Sequence, residues 1–219
     1  MSKHKSAKYK PIGSTNIHSY FVSSNPPTSF NPISIYPSID ETTFVGPFSS
    51  IIGDVRIDTD VFIGCNVTLR ADEGTPFYIG SKTNIQDGVI LHGLKNMKFT
   101  VNKKEYSIYI GKEVSIAHGA IVHGPCVIGG NTFLGFNAIV FNSIVEEGCY
   151  IDLAAIVTDG VRIPANRYVP VGAIINTQEK ANNLEMISQS KEEFAKEVIK
   201  SNVELSQEIE RASCRERVS

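Results

Sequence analysis

The sequence lacks long hydrophobic runs, any excess of one charge, and more than a handful of cysteines, and each shortage excludes a class of protein. No stretch approaches the roughly 18 apolar residues of a membrane-spanning helix. Lys3, Lys5, Lys8 and Lys10 crowd the amino terminus. The apolar segment of about 7–15 residues that a secretory signal needs does not follow them. A formal net charge of −2, with no basic stripe, argues against nucleic acid as a partner. Of the four cysteines, Cys126 and Cys149 fall at inward-facing positions of the repeat described next and read as reduced core thiols, not as a disulfide framework. These features predict a cytoplasmic protein.

What is present is a repeat of six. Apolar residues recur at Ile39, Val45, Ile51, Ile57, Ile63 and Leu69, then at Ile79, Ile85 and Leu91. The same step resumes at Ile110, Ile116, Val122, Ile128, Leu134 and Val140, and again at Val145, Ile151, Val157, Ile163 and Val169. Small or β-branched residues follow many of them four positions later: Val55, Val61, Val67, Val89, Val114, Ala120, Ala138, Ala155 and Val161. Helical amphipathicity has a period of about 3.6 and cannot hold a strict six over this length. A short strand plus a corner can, and such short repeats belong to β-helices. Gly, Asn and Asp supply the turns between β-branched strand residues. The chain resembles the hexapeptide-repeat family, which implies a mainly β fold, a left-handed parallel β-helix with a C-terminal α-helix packed alongside.

Breaks in the repeat mark excursions. Leu69 to Ile79 spans ten residues, Leu91 to Ile110 nineteen, and Val140 to Val145 is one short of a hexad. Extra residues leave a solenoid at its corners, so residues 92–109 are expected to form a projecting loop. Three regions follow: an irregular Pro/Ser/Asn/Lys-rich arm over 1–35, the β-helix over 36–177, and an amphipathic helix over 178–210. The apolar stripe of that helix is read as Ala195, Val198, Asn202, Leu205 and Ile209. Residues 211–219 leave the stripe and resemble a translated adapter remnant, so a non-native tail is expected there.

His92, His118 and His123 interrupt the repeat. Neutral imidazole is the commonest protein ligand for zinc-like metals, and three ligands with a fourth position left to water describe a catalytic site. His92 follows Leu91 by one position and His123 follows Val122 by one, so both occupy the same slot on adjacent coils. His118 lies five residues before His123, in a different slot, and odd spacing reverses side-chain direction along a strand. One chain has difficulty converging all three. A symmetric homo-oligomer, most simply a three-fold ring, resolves this by drawing two ligands from one protomer and the third from its neighbour.

Around the histidines stand RADEG (70–74), NIQDG (84–88), HG (92–93) and SIAHGAIVHGP (115–125). On these segments the chain is similar to the gamma-class carbonic anhydrases, trimeric β-helix enzymes, over roughly residues 36–210. The resemblance implies reversible hydration of CO2 to bicarbonate by a metal-bound hydroxide at the subunit interfaces of a homotrimer. It implies His92, His118 and His123 as metal ligands, with Zn2+ as the default and Fe2+ or Co2+ also suited to imidazole. By the same resemblance Gln86 hydrogen-bonds the hydroxide and meets the substrate, Asn84 orients Gln86, Glu73 accepts the proton, and Asn202 faces bicarbonate. Arg70, Asp72 and Asp87 match the family's intersubunit charge cluster.

One position departs from the pattern. Prototypes of the family carry a proton-shuttling glutamate three residues after the first histidine, and here that residue is Lys95. A lysine, with an ordinary pKa near about 10.4, is a poor proton acceptor at neutral pH. Proton exit is then expected to use Glu73 with buffer, or Glu105, and turnover to depend on buffer. Three alternatives stand beside this reading. They are a hexapeptide acyltransferase using one histidine as base, a non-catalytic trimeric scaffold of the same fold, and a purely structural metal site.

Overall fold

The computed structural model describes residues 20–218, with side chains as far as Ile209. The lysines at positions 3–10 and the side chains of the last nine residues therefore lie outside the described residues.

Short parallel strands stack into a three-sided solenoid. One face is a seven-stranded sheet running from Phe44–Val45 through Phe62–Ile63, Asn84–Ile85, Ser115–Ile116, Phe133–Leu134 and Tyr150–Ile151 to Tyr168–Val169. The other two faces belong to one thirteen-stranded sheet, because the long strand Ile121–Ile128 pairs with Ile90–Gly93 near its start and with Ile108–Ile110 near its end. The hexad residues point inward: Ile51, Ile63, Leu69, Ile79, Ile85, Leu91, Ile110, Ile116 and Val122 are all fully buried in one core. Their companions Val67, Val89, Val114, Ala120, Ala138 and Ala155 close the same interior. Cys126 and Cys149 lie in it as free thiols, and burial pushes them up to about 12 and about 11 respectively.

Corners are made by residues in the left-handed region, as the turn composition requires. Along one edge Phe48, Asn66, Gly88, Gly119, Asn137, Ala154 and Gly172 all take positive φ. Each N–H from Asn66 onward bonds the carbonyl one coil below: Asn66 to Pro47, Gly88 to Cys65, Gly119 to Asp87, Asn137 to His118, Ala154 to Phe136 and Gly172 to Leu153. Asn, Phe and Ala occupy several of these corners, so the stack of backbone bonds holds conformations that glycine alone would take freely.

The excursion after Leu91 is shorter and more ordered than expected. Its first two residues, His92 and Gly93, continue the strand Ile90–Gly93, and a two-stranded antiparallel hairpin, Phe99–Val101 with Lys104–Tyr106, fills most of the remainder. The helix expected from 178 is two helices, α1 (Gln178–Asn182) and α2 (Gln189–Val218), with Met186 bridging Arg167 between them. α2 lies along the seven-stranded face. Its inward stripe also differs from the expectation: Leu205 is exposed, and Ser206, one residue on, is buried with Ala195. A helix following Ala195, Val198, Asn202 and Ser206 keeps steps of three and four, which Leu205 breaks only by one position.

Candidate metal centre

His92 and His123 are register partners on adjacent coils, and Arg70 and Phe141 extend the same outward column on either side. The shared slot read from the hexads is therefore a shared column in space. Their rings stand 5.1 Å apart, edge to face, with His92 Nδ1 3.2 Å from His123 Nε2. Two imidazole nitrogens each about 2.05 Å from a tetrahedral zinc would be about 3.3 Å apart, so the pair has the separation of two ligands of one cation. The Nδ1 of His123 is buried without a hydrogen-bond partner. Burial, then the Arg70 guanidinium and His123, push His92 below the usual imidazole range against the opposing pull of Asp72 and Glu73. A neutral ring keeps its lone pair for a metal.

His118 stands elsewhere, on the corner that ends in Gly119, where φ is +71°. It is 53% exposed at the side chain, its Nδ1 is 3.4 Å from Asp87 Oδ2, and its ring lies 5.5 Å from that of Phe136. Among the described residues no group of three or more His, Cys, Asp or Glu side chains is arranged within the one protomer to hold a metal ion. The strand alternation expected from the odd spacing of His118 and His123 does not apply, because the chain turns a corner at His118 and Gly119 before the strand that carries His123 begins at Ile121. Concavities of the protomer lie away from the histidines as well; one of about 400 Å3 runs beside α2, lined by Asn131, Glu147, Asn166, Ala195, Lys196 and Ile199.

The charged residues have partners within the chain. Arg70 Nε bonds Asp72 Oδ1 at 3.1 Å and its Nη2 lies 3.0 Å from His92 Nε2. Asp87 accepts the Cys65 N–H at 2.7 Å through its other oxygen. Glu73 Oε1 accepts the Lys95 N–H at 3.2 Å, and its Oε2 comes within 3.7 Å of His92 Nε2. Lys95 itself extends its ammonium over the Phe30 ring, 4.9 Å from the centroid, while the Asn31 amide donates to the Asp72 carbonyl. The arm thus reaches the rim of the site, a contact for which the sequence carries no periodic signal.

Gln86 and Asn84 are buried and joined. Gln86 Nε2 donates to Asn84 Oδ1 at 3.1 Å, and Asn84 Nδ2 donates to Ser115 Oγ at 2.7 Å. Ser115 is a member of this chain that the motifs did not single out. Its signal was available: it precedes Ile116 as Asn84 precedes Ile85, in the same hexad slot. Asn202 Nδ2 donates to Val198 O of its own helix at 2.9 Å.

No family model matches the chain. It is 44% identical over 175 residues to the carboxysome assembly protein CcmM of Nostoc sp., covering 80% of this chain but 31% of that protein. It is 39% identical over 172 residues to the carbonic anhydrase of Methanosarcina thermophila, covering 73% of this chain and 68% of that protein. Gamma carbonic anhydrase 1 of Arabidopsis thaliana mitochondria is 35% identical over 141 residues, 63% of this chain and 49% of that one. The chain thus spans about a third of the carboxysome relative and about half of the plant one. Among solved structures, a hexapeptide transferase family protein from Anaplasma phagocytophilum superposes with a TM-score of 0.66 at 25% identity, over 84% of this chain and 96% of that one. A Bacillus cereus structure at 21% identity and TM-score 0.68, over 86% and 96%, shares the fold. Matching the archaeal enzyme at this identity along two thirds of its length, the chain belongs to the gamma-class carbonic anhydrase family.

Proposed function

We propose that this chain is a carbonic anhydrase that converts CO2 and water reversibly to bicarbonate and a proton, at sites formed between copies of a homotrimer. The observation that supports this is the in-register His92–His123 pair at ligand separation, with the third imidazole, His118, exposed on a corner from which it would serve a neighbouring copy. His92 and His123 of one protomer with His118 of a neighbour would hold a divalent cation, Zn2+ by default and Fe2+ or Co2+ equally compatible with imidazole. When bound, such a cation would supply Lewis acidity that lowers the pKa of water to about 7.

The chain's own residues do the rest. Gln86 spends its amide nitrogen on Asn84, which leaves its carboxamide oxygen to orient the reacting water and the incoming CO2. Glu73, held by the Lys95 N–H beside His92 and 38% exposed at its side chain, is placed to take the proton and pass it to solvent. Arg70, Asp72 and Asp87 border the two histidine positions and would fix the contact between copies. Asn202 Nδ2 spends one N–H on Val198 O and keeps a second with which it would meet bicarbonate.

The test is stopped-flow CO2 hydration on metal-replete protein beside His118→Ala. The variant is expected to lose bound metal and to be at least about 100-fold slower, more than outer partners of a metal site typically contribute. Equal rates would remove the intersubunit site.

A further inference from the structure

The outward column of the seven-stranded face reads Phe44, Phe62, Asn84, Ser115, Phe133, Tyr150, Tyr168. It is an aromatic ladder: Phe44 stacks on Phe62 with ring centroids 5.3 Å apart, and Phe133 on Tyr150 at 4.6 Å. Two adjacent rungs are polar instead. α2 packs over this face, including the strands that carry both, and leaves Asn84 1% and Ser115 0% exposed.

A polar pair in a dry position costs free energy unless its hydrogen bonds are made. Asn84 makes one on each side: its oxygen takes the Gln86 N–H, and its nitrogen gives to Ser115 Oγ. The torsion that turns an asparagine amide is soft and roughly two-fold. Two bonds at opposite ends of the amide fix its plane, whereas one alone allows it to swing.

We infer that Ser115 is a positioning residue, whose hydroxyl oxygen pins the Asn84 carboxamide and through it the direction in which Gln86 points. Replacing one aromatic rung by asparagine would be enough to hold Gln86 loosely; the second polar rung makes the hold rigid. Without Ser115 Oγ the Asn84 amide keeps a buried, unpaired N–H, and it turns to find a partner, carrying Gln86 with it. This role deepens the proposed CO2 hydration and rests on it for its kinetic consequence, but not for its geometric one.

The two are separated by measuring structure and rate together on the full chain. In a crystal structure of Ser115→Ala, the Asn84 and Gln86 side chains are expected to leave the orientation they hold in the parent protein. CO2 hydration by the metal-replete variant is expected to fall about 10-fold in kcat/KM with metal content unchanged, the scale of an outer partner. Introduced into Gln86→Ala, the same change is expected to cost less than about 2-fold, since coupled residues are not additive. Ser115→Cys, similar in size but a weak hydrogen-bonding group, should fold wherever Ala does not and give a smaller loss of the same kind. An unmoved Gln86, or an equal loss of rate in both backgrounds, would overturn the positioning role. A parent protein that carries metal yet hydrates no CO2 would instead sink the enzymatic reading, with the crystal structure still deciding the role of Ser115.

Discussion

At the scale of single residues, the candidate site divides sharply into what a motif can name and what only a neighbour can reveal. His92 and His123 stood out because each follows a hexad residue by one position, and the two pair in register. Ser115 could be read from the sequence only as a polar residue in the hexad slot of Asn84, and its part shows once the Asn84 amide is seen against it. Lys95 shows both sides. Its departure from the family pattern was plain, but the use of its backbone N–H to hold Glu73, and of its ammonium against Phe30, needed the fold. With no carboxylate at that position, the proposed proton route would run from Glu73 to a carrier from solution. Hydration is expected to speed up several-fold as imidazole buffer rises from about 1 to about 50 mM, and Lys95→Glu to be faster than the parent in dilute buffer with the difference closing in concentrated buffer. Rates that ignore buffer concentration in both proteins would contradict this.

At the scale of elements, the hexads specified the inward residues of the strands well, because burial on the inner side of a coil demands an apolar residue at each turn. Helix α2 was harder to read: its stripe is narrow, and the step to Ser206 instead of Leu205 is set by what lies beneath it. What lies beneath includes a clamp. Lys191 Nζ sits 2.8 Å from Asp152 Oδ2 and within 4.6 Å and 4.4 Å of the Tyr150 and Tyr168 ring centroids. Burial pushes the Asp152 carboxyl up, but hydrogen bonds from Lys191, the Leu153 N–H and Tyr168 outweigh it and hold it below its ordinary value. Burial would likewise lower Lys191, and the Asp152 carboxylate more than offsets that, raising it. A depressed carboxyl contributes stability above its unfolded pKa of about 4 and loses it as pH falls through the folded value; a raised ammonium contributes below about 10.5 and loses it as pH climbs through the folded value. The clamp is therefore constant between those limits. Lys191→Met is expected to lower stability by about 2 kcal/mol at pH 7 by taking the ammonium away from Asp152, with the deficit shrinking as pH falls below about 4. Urea unfolding at the two pH values checks this, and an undiminished deficit in acid would count against the clamp.

At the scale of the whole molecule, the solenoid presents its histidines on two different surfaces. The His118 edge also carries Phe48, Phe136, Leu153 and Val171, all exposed, with Phe136 against the His118 ring. A run of exposed apolar groups beside the proposed ligand His118 is what a self-associating edge looks like. Phe136→Asp is expected to reduce the sedimentation mass from three times the 24.0 kDa protomer to one and to abolish metal retention, while the solenoid core stays folded. A trimeric variant with full metal content would exclude this edge from the interface.

The sequence alone determined the coil, its inward residues and the two histidines that share a column, because a period of six couples every residue to its counterpart one turn away. No helix among the described residues is long and apolar enough to cross a membrane, in line with the absence of apolar runs. Tertiary structure alone decided that His118 stands on a corner and not on a strand, that the arm meets Lys95 through Phe30 and Asp72 through Asn31, and that Gln86 is tied through Asn84 to Ser115. These contacts join residues through the stacking of coils and the seating of α2. Direction and distance across the stack are fixed by packing, which no one-dimensional spacing encodes.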